Sequence, residues 1–211
     1  MSDSAFPVPE CSLETELVVR GSRFIARVHP VETRDEAMSQ ITRARSDHPD
    51  ATHHCWAYVL GKPGAATSAA MNDDGEPSGT AGRPILSVIE HKSIGNVLII
   101  VSRYFGGRKL GAGGLVRAYA GAAEAVLSKV QTVEQVPRTT VDLCLDFSME
   151  QPLRHWVNGH DAQIARVDYG ENVRIRLQLP VDDLESLHSF AAARGVRVQA
   201  NSRRHNSQGG S

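Results

Sequence analysis

Apolar and polar positions along the first half of the chain change period several times. Residues 13–19 and 23–28, separated by Gly21, read as an antiparallel pair of strands. Thr33 and Glu36 stand at capping-box spacing and open a helix that carries Ala37, Ile41 and Ala44, and His48-Pro49 closes it. From His53 to Leu60 strand alternation puts Cys55, Ala57 and Val59 on one face and His54, Trp56, Tyr58 and Leu60 on the other. Residues 61–82 show no apolar period and predict a long polar loop, a feature that is uncommon in a compact domain unless it is functional or mobile. Pro84 then suits the first turn of a helix bearing Ile85, Val88 and Ile89. Val97 to Val101 is apolar on both faces, as a central strand would be, and is followed by a glycine-rich turn and a long helix over 110–129.

The second half follows a different order. A half-buried strand with Val141, Leu143, Leu145 and Phe147 on one side leads to a helix, for which Ser148 and Gln151 offer a capping pair and Leu153, Trp156 and Val157 an apolar face. Strands over 163–168 and 173–179 flank the polar turn Tyr169-Gly170-Glu171-Asn172. A second helix carries Leu184, Leu187 and Ala191 and meets a left-handed cap at Gly195, and Val196 and Val198 supply a last short strand. The order βαββαβ predicts a ferredoxin-like sandwich. The fold class expected is therefore α+β with two domains: an N-terminal tail 1–12, a first domain 13–132, a linker 133–137, a ferredoxin-like domain 138–200 and a disordered tail 201–211.

Composition narrows the function classes. The net charge is −1, so the field of the whole protein would not draw in nucleic acid, and any such binding must be local. Three cysteines without close partners suggest neither a disulfide framework nor a zinc knuckle. No apolar run approaches the roughly 20 residues of a membrane helix, and no signal-peptide pattern opens the chain. A cytoplasmic protein with no membrane partner is expected.

Two segments carry candidate chemistry. In the turn from Arg103 to Arg117, glycines permit close backbone approach, and Arg103, Arg108, Lys109 and Arg117 add charge beside a helix start with exposed amides. With Tyr104, Gly106, Gly107 and Gly111 these residues form a candidate anion or RNA site, although it matches neither a P-loop nor a dinucleotide fingerprint. The alternative is that the glycines serve only a tight strand-to-helix turn. In the preceding loop, Asp73, Asp74 and Glu76 could hold Mg²⁺ or form a solvated turn, with Ser78, Thr80 and Arg83 alongside; the loop could also fold over the Arg103 turn. His53, His54 and Cys55 alternate along a strand and cannot converge on one metal, so no metal site and no cofactor is expected. Trp56 and Tyr58 share a face with His54 that could stack bases or pack on a helix. No nucleophile and base can be paired from spacing, so catalytic residues remain unassigned.

The run Asp73-Asp74-Gly75-Glu76-Pro77-Ser78-Gly79-Thr80-Ala81-Gly82-Arg83-Pro84, then Arg103-Tyr104-Phe105-Gly106-Gly107 with Leu110-Gly111, resembles the signature of the IMPACT family in its bacterial YigZ-type branch. The resemblance implies a first domain like the second domain of a small-subunit ribosomal protein and the fourth domain of elongation factor G, and a second domain like that factor's last domain. It also implies a translation-linked binding protein with RNA, the ribosome or a translation-control protein as partner. Eukaryotic relatives restrain a stress-activated kinase and carry a further N-terminal interaction domain. That domain is not expected here, because only about a dozen residues precede the first expected strand. The competing readings are a Mg²⁺-dependent enzyme acting on a phosphorylated substrate and a protein-binding adaptor.

Overall fold

The computed structural model describes residues 5–200; the expected C-terminal tail and the first four residues lie outside them. Elements follow in the order β1 (Phe6–Pro9), β2 (Leu13–Val19), β3 (Ser22–Pro30), α1 (Arg34–Asp47), β4 (His53–Leu60), β5 (Ser68–Asn72), α2 (Gly82–Lys92), β6 (Val97–Tyr104), α3 (Ala112–Leu127) and β7 (Thr132–Gln135) in a first unit ending at Gln135. The second unit, from Val136, contains β8 (Arg138–Leu145), α4 (Glu150–Asn158), β9 (Gln163–Tyr169), β10 (Val173–Pro180), α5 (Leu184–Arg194) and β11 (Arg197–Ala200).

The first unit is built on a five-stranded antiparallel sheet of order β2-β3-β6-β4-β5. Its centre is β6, buried on both faces as its unbroken apolar run requires. Val97, Ile99 and Val101 join Cys55, Ala57 and Val59 in a core closed by α2 and α3. Leu98 and Ile100 face the opposite way, with Tyr58 and Leu60, into a smaller core under α1. Thr33 caps α1 by accepting from the Glu36 amide at 3.2 Å, while the Glu36 carboxylate accepts from the Glu32 amide rather than from that of Thr33.

In the first unit three expectations change. Phe6 to Pro9, placed in a tail, form β1, and Thr132 to Gln135, overlapping the expected linker, form its antiparallel partner β7. Neither segment is long enough to show a period of its own, and the partner lies at the far end of the unit. The long polar loop is interrupted by β5, which pairs along β4 and carries the small residues Ser68, Ala69 and Ala70, which leave no apolar alternation to detect.

The second unit has the sheet order β11-β8-β10-β9 with α4 and α5 packed on one face, the ferredoxin-like arrangement. Val173, Ile175, Leu177 and Leu179 enter its core from β10 and alternate with exposed residues. Both helices start through a 3-10 turn, so Ser148 makes no cap hydrogen bond and the expected capping pair does not form. Phe147 lies in the first of these turns, more than half exposed, instead of extending β8. Gly195 caps α5 at φ +66°, its amide donating to the Ala191 carbonyl.

Candidate functional site

The two candidate segments meet at the end of the sheet where β4 and β6 run side by side, but their charges go to different uses. Strand parity explains the first difference. Arg103 continues the face of Val97, Ile99 and Val101, so its side chain enters the α2 and α3 side of the sheet and is 8% exposed. There Nη1 donates to Glu76 Oε1 at 2.5 Å, and the Tyr119 hydroxyl donates to the same oxygen at 2.8 Å. The guanidinium carbon lies 5.5 Å from the Phe24 ring centre and 5.7 Å from that of Phe105, while Nε is buried without a hydrogen-bond partner among the described residues. The expectation that Arg103 belongs to an exposed basic patch is therefore corrected. Tyr104, one residue on, turns to the other face, where its hydroxyl is 2.9 Å from His48 Nδ1.

The acidic loop is spent internally as well. Asp73 caps α2 from a distance in sequence: its carboxylate accepts from the amides of Gly79 at 2.8 Å, Ala81 at 2.9 Å and Gly82 at 2.8 Å. Partial burial pushes its carboxyl up, but the amides of Gly79, Gly82 and Ala81 outweigh it and hold the group below its ordinary value. Asp74 accepts from Arg45 at 2.5 Å and from the His54 amide at 2.6 Å. With Glu76 held by Arg103, each of the three carboxylates offered to Mg²⁺ is engaged by the chain itself, and among the described residues no group of three His, Cys, Asp or Glu is arranged for a metal. Thr80 is buried and donates to the Pro77 carbonyl at 2.6 Å, whereas Ser78 and Arg83 are exposed.

The neighbouring polar groups serve the same packing. His53 Nδ1 is 2.8 Å from the Asp74 carbonyl, and His54 Nδ1 is 2.9 Å from Ser102 Oγ. Burial lowers the His54 pKa and so favours the neutral ring. Burial pushes the Cys55 thiol up to about 12 and raises the Tyr119 phenol, which leaves neither group a ready nucleophile. The face of His54, Trp56 and Tyr58 is covered on the α1 side and packs as core instead of presenting rings for bases.

The glycine turn remains outward. Gly106 is the close-approach position: a Cβ there would run into the Gly21 backbone, and its amide donates to Ser22 Oγ at 3.1 Å. Gly107 and Gly111 hold φ of +80° and +71°, a region open to glycine. Helix α3 starts after Gly111 without a side-chain cap and without an acidic residue in its first turn. Arg117 folds back toward that turn, so that a Cβ on Gly113 would be 3.6 Å from its Nη1. Arg20, at φ 49° in the β2–β3 turn, lines a small cavity with Leu110, Gly114 and Arg117. Among the described residues, Arg20, Arg108, Lys109 and Arg117 have no ion-pair partner.

Sequence reasoning missed Tyr119, Arg45 and Arg20. Tyr119 follows Leu115 by four positions on the apolar face of α3 and looks like any core residue; Arg45 and Arg20 reach the site through tertiary contacts alone. For Arg103 a signal existed, since it keeps the parity of a strand buried on both faces.

Residues 20–127 match the Impact N-terminal domain, and residues 143–193 match a domain of unknown function, DUF1949. The chain belongs to the IMPACT family. IMPACT family member YigZ of Escherichia coli is 33% identical over 173 residues, spanning 82% of this chain and 85% of its own. IMPACT family member YvyE of Bacillus subtilis is 38% identical over 173 residues, spanning 82% and 78%. A crystal structure described as that of an hypothetical protein superposes with a TM-score of 0.74 at 29% identity, covering 95% of this chain and 98% of the other. The matched region contains both signature segments, and in this chain Glu76 of the first is tied to Arg103 of the second. Among the described residues, no helix is long and apolar enough to cross a membrane.

Proposed function

We propose that the protein is a cytoplasmic, translation-linked binding protein of the IMPACT type that contacts RNA or a ribosomal surface through the turn 106–111 and the first turn of α3. One observation carries the reading: an uncapped helix start, free of acidic residues, is surrounded by Arg20, Arg108, Lys109 and Arg117, none of which has an ion-pair partner among the described residues. Free amides and the positive end of the helix dipole favour an anion at that place, and the glycines let a phosphate approach the backbone. Arg103 acts beneath this surface as a positioning residue, through its tie to Glu76 and its contact with the Phe105 ring.

The test is a titration of a short fluorescent oligouridylate at several salt concentrations. Neutralising three or four phosphates of a single strand gives a slope of log K against log salt of about −2 to −3. Substituting Arg108, Lys109 and Arg117 together by alanine is expected to flatten that slope and weaken binding. An affinity that is insensitive to salt, or unchanged in the triple variant, would overturn the proposal.

A further inference from the structure

The second unit carries charge where the family signature does not reach. Its helices cover one face of the sheet, so strand alternation turns the residues between the core positions to an uncovered face. A cleft of about 850 Å³ lies there. Four arginines on three strands line it, Arg166, Arg174, Arg176 and Arg197, and the aspartates among them are Asp142 and Asp168. Glu171, in the turn after β9, lies at its margin.

Pairing neutralises only half of this charge. Arg176 spans the two oxygens of Asp142 at 2.8 and 3.0 Å, and Arg166 Nε donates to Asp168 at 3.0 Å. Arg174 has no ion-pair partner among the described residues, and Arg197 reaches only the sulfur of Cys144, at 4.0 Å. The register puts Cys144 on β8 directly opposite Arg174 on β10 and Arg197 on β11. Side chains paired in this way start about 5 Å apart, so two unneutralised guanidinium groups flank one partly buried thiol on the floor of the cleft.

We propose that Arg174 and Arg197 clamp the phosphodiester backbone of a single-stranded RNA across the open sheet face of the second unit, above Cys144. The inference rests on the RNA-binding reading above and adds a second, separate contact surface to it.

The chemistry of the face favours this occupant over others. A second copy of the same face would oppose arginine to arginine. The chain's own residues 201–211 include Arg203 and Arg204 and no acid, so that segment would be repelled. Protein partners anchor on buried aromatic and aliphatic groups, and this face offers guanidinium, carboxylate and amide groups instead. Arginine's planar fork matches phosphate oxygens in pairs. Tyr169, at the edge, is turned to the helical side, where its hydroxyl donates to Glu150 at 2.9 Å and its ring stacks on Phe147. With no ring presented for bases, the clamp recognises backbone charge and is indifferent to sequence.

The experiment uses the full chain and the same labelled oligouridylate. Arg174→Gln with Arg197→Gln is expected to weaken binding several-fold and to reduce the salt slope by about 1.4, the share of two phosphates on a single strand. The substitutions lie on an exposed surface, and an unchanged thermal melt checks that the fold persists. In parallel, alkylation of Cys144 by iodoacetamide, read by peptide mass spectrometry against exposed Cys11, should slow when RNA is present and recover at high salt. If the double variant keeps the affinity and slope of the unaltered chain while the Arg108, Lys109 and Arg117 variant loses them, this surface is overturned and the first-unit reading stands. Absence of RNA binding altogether overturns both. Protection of Cys144 by polyglutamate as strong as that by RNA would assign the face to an acidic protein and overturn the proposal as well.

Discussion

The acidic loop and the glycine turn are equally polar in sequence, yet one is consumed by the fold and the other is left for solvent. Asp73, Asp74 and Glu76 each meet a donor from another element, and the loop becomes a strap joining β5, β4, α2 and α3. Across from it, Arg108, Lys109 and Arg117 meet no acid among the described residues, and the helix start between them lacks a cap. Charged residues thus say little about a site until their partners are known. Of the four basic residues singled out in the turn, the fold withdraws Arg103 and leaves the other three exposed.

The sharpest way to break this contrast is to remove a partner from the buried pair. Glu76→Ala leaves the Arg103 guanidinium buried and unpaired, and the expected loss is about 3–5 kcal/mol in urea unfolding. Replacing both residues by methionine should cost clearly less than the sum of the two single substitutions, because no lone charge then remains. If the single and double losses simply add, the tie is not the unit described. Gly106→Ala follows, with an expected loss of about 1–3 kcal/mol from forcing a Cβ against the Gly21 backbone; a full-stability variant would show that the turn and the β2–β3 corner are not in contact.

Asp73→Ala should cost about 1 kcal/mol, as the loss of a helix cap does. Its pH dependence has a defined sign. The folded carboxyl titrates below its ordinary value, so the stabilisation is complete above the unfolded pKa of about 3.9 and is lost as pH falls through the lower folded value. The gap in urea midpoint between the unaltered chain and Asp73→Ala should therefore be wide at neutral pH and close in strong acid; a constant gap would argue for lost packing instead. The smallest effect on stability is expected for the Arg108, Lys109 and Arg117 triple alanine variant, within about 0.5 kcal/mol, alongside weakened RNA binding. A large loss of stability there would place those side chains in the structural tie rather than on a binding surface.

Much of the fold was legible because its long elements repeat their periods. The both-sided burial of 97–101, the two faces of 53–60, the Thr33 cap and the Gly195 stop all appear where local pattern places them. Strands β1, β5 and β7 were not legible, being four or five residues long, with small or non-alternating side chains and partners supplied only by the folded sheet. Of the candidate site, the glycine turn and the helix start that follows it were visible in sequence, but the left-handed φ of Gly107 and Gly111 and the fate of each charge were not.

Local sequence by itself determined which residues alternate, where chains turn and which faces are apolar, because those properties depend on backbone period and on steric limits within a few residues. Only the tertiary structure decided that Glu76 finds Arg103 across 27 positions, that Tyr119 completes the pair, and that Arg174 and Arg197 rise on either side of Cys144. The reason is physical: a charge is buried or exposed according to the partner that the sheet register delivers to it, and the register is a property of the assembled strands.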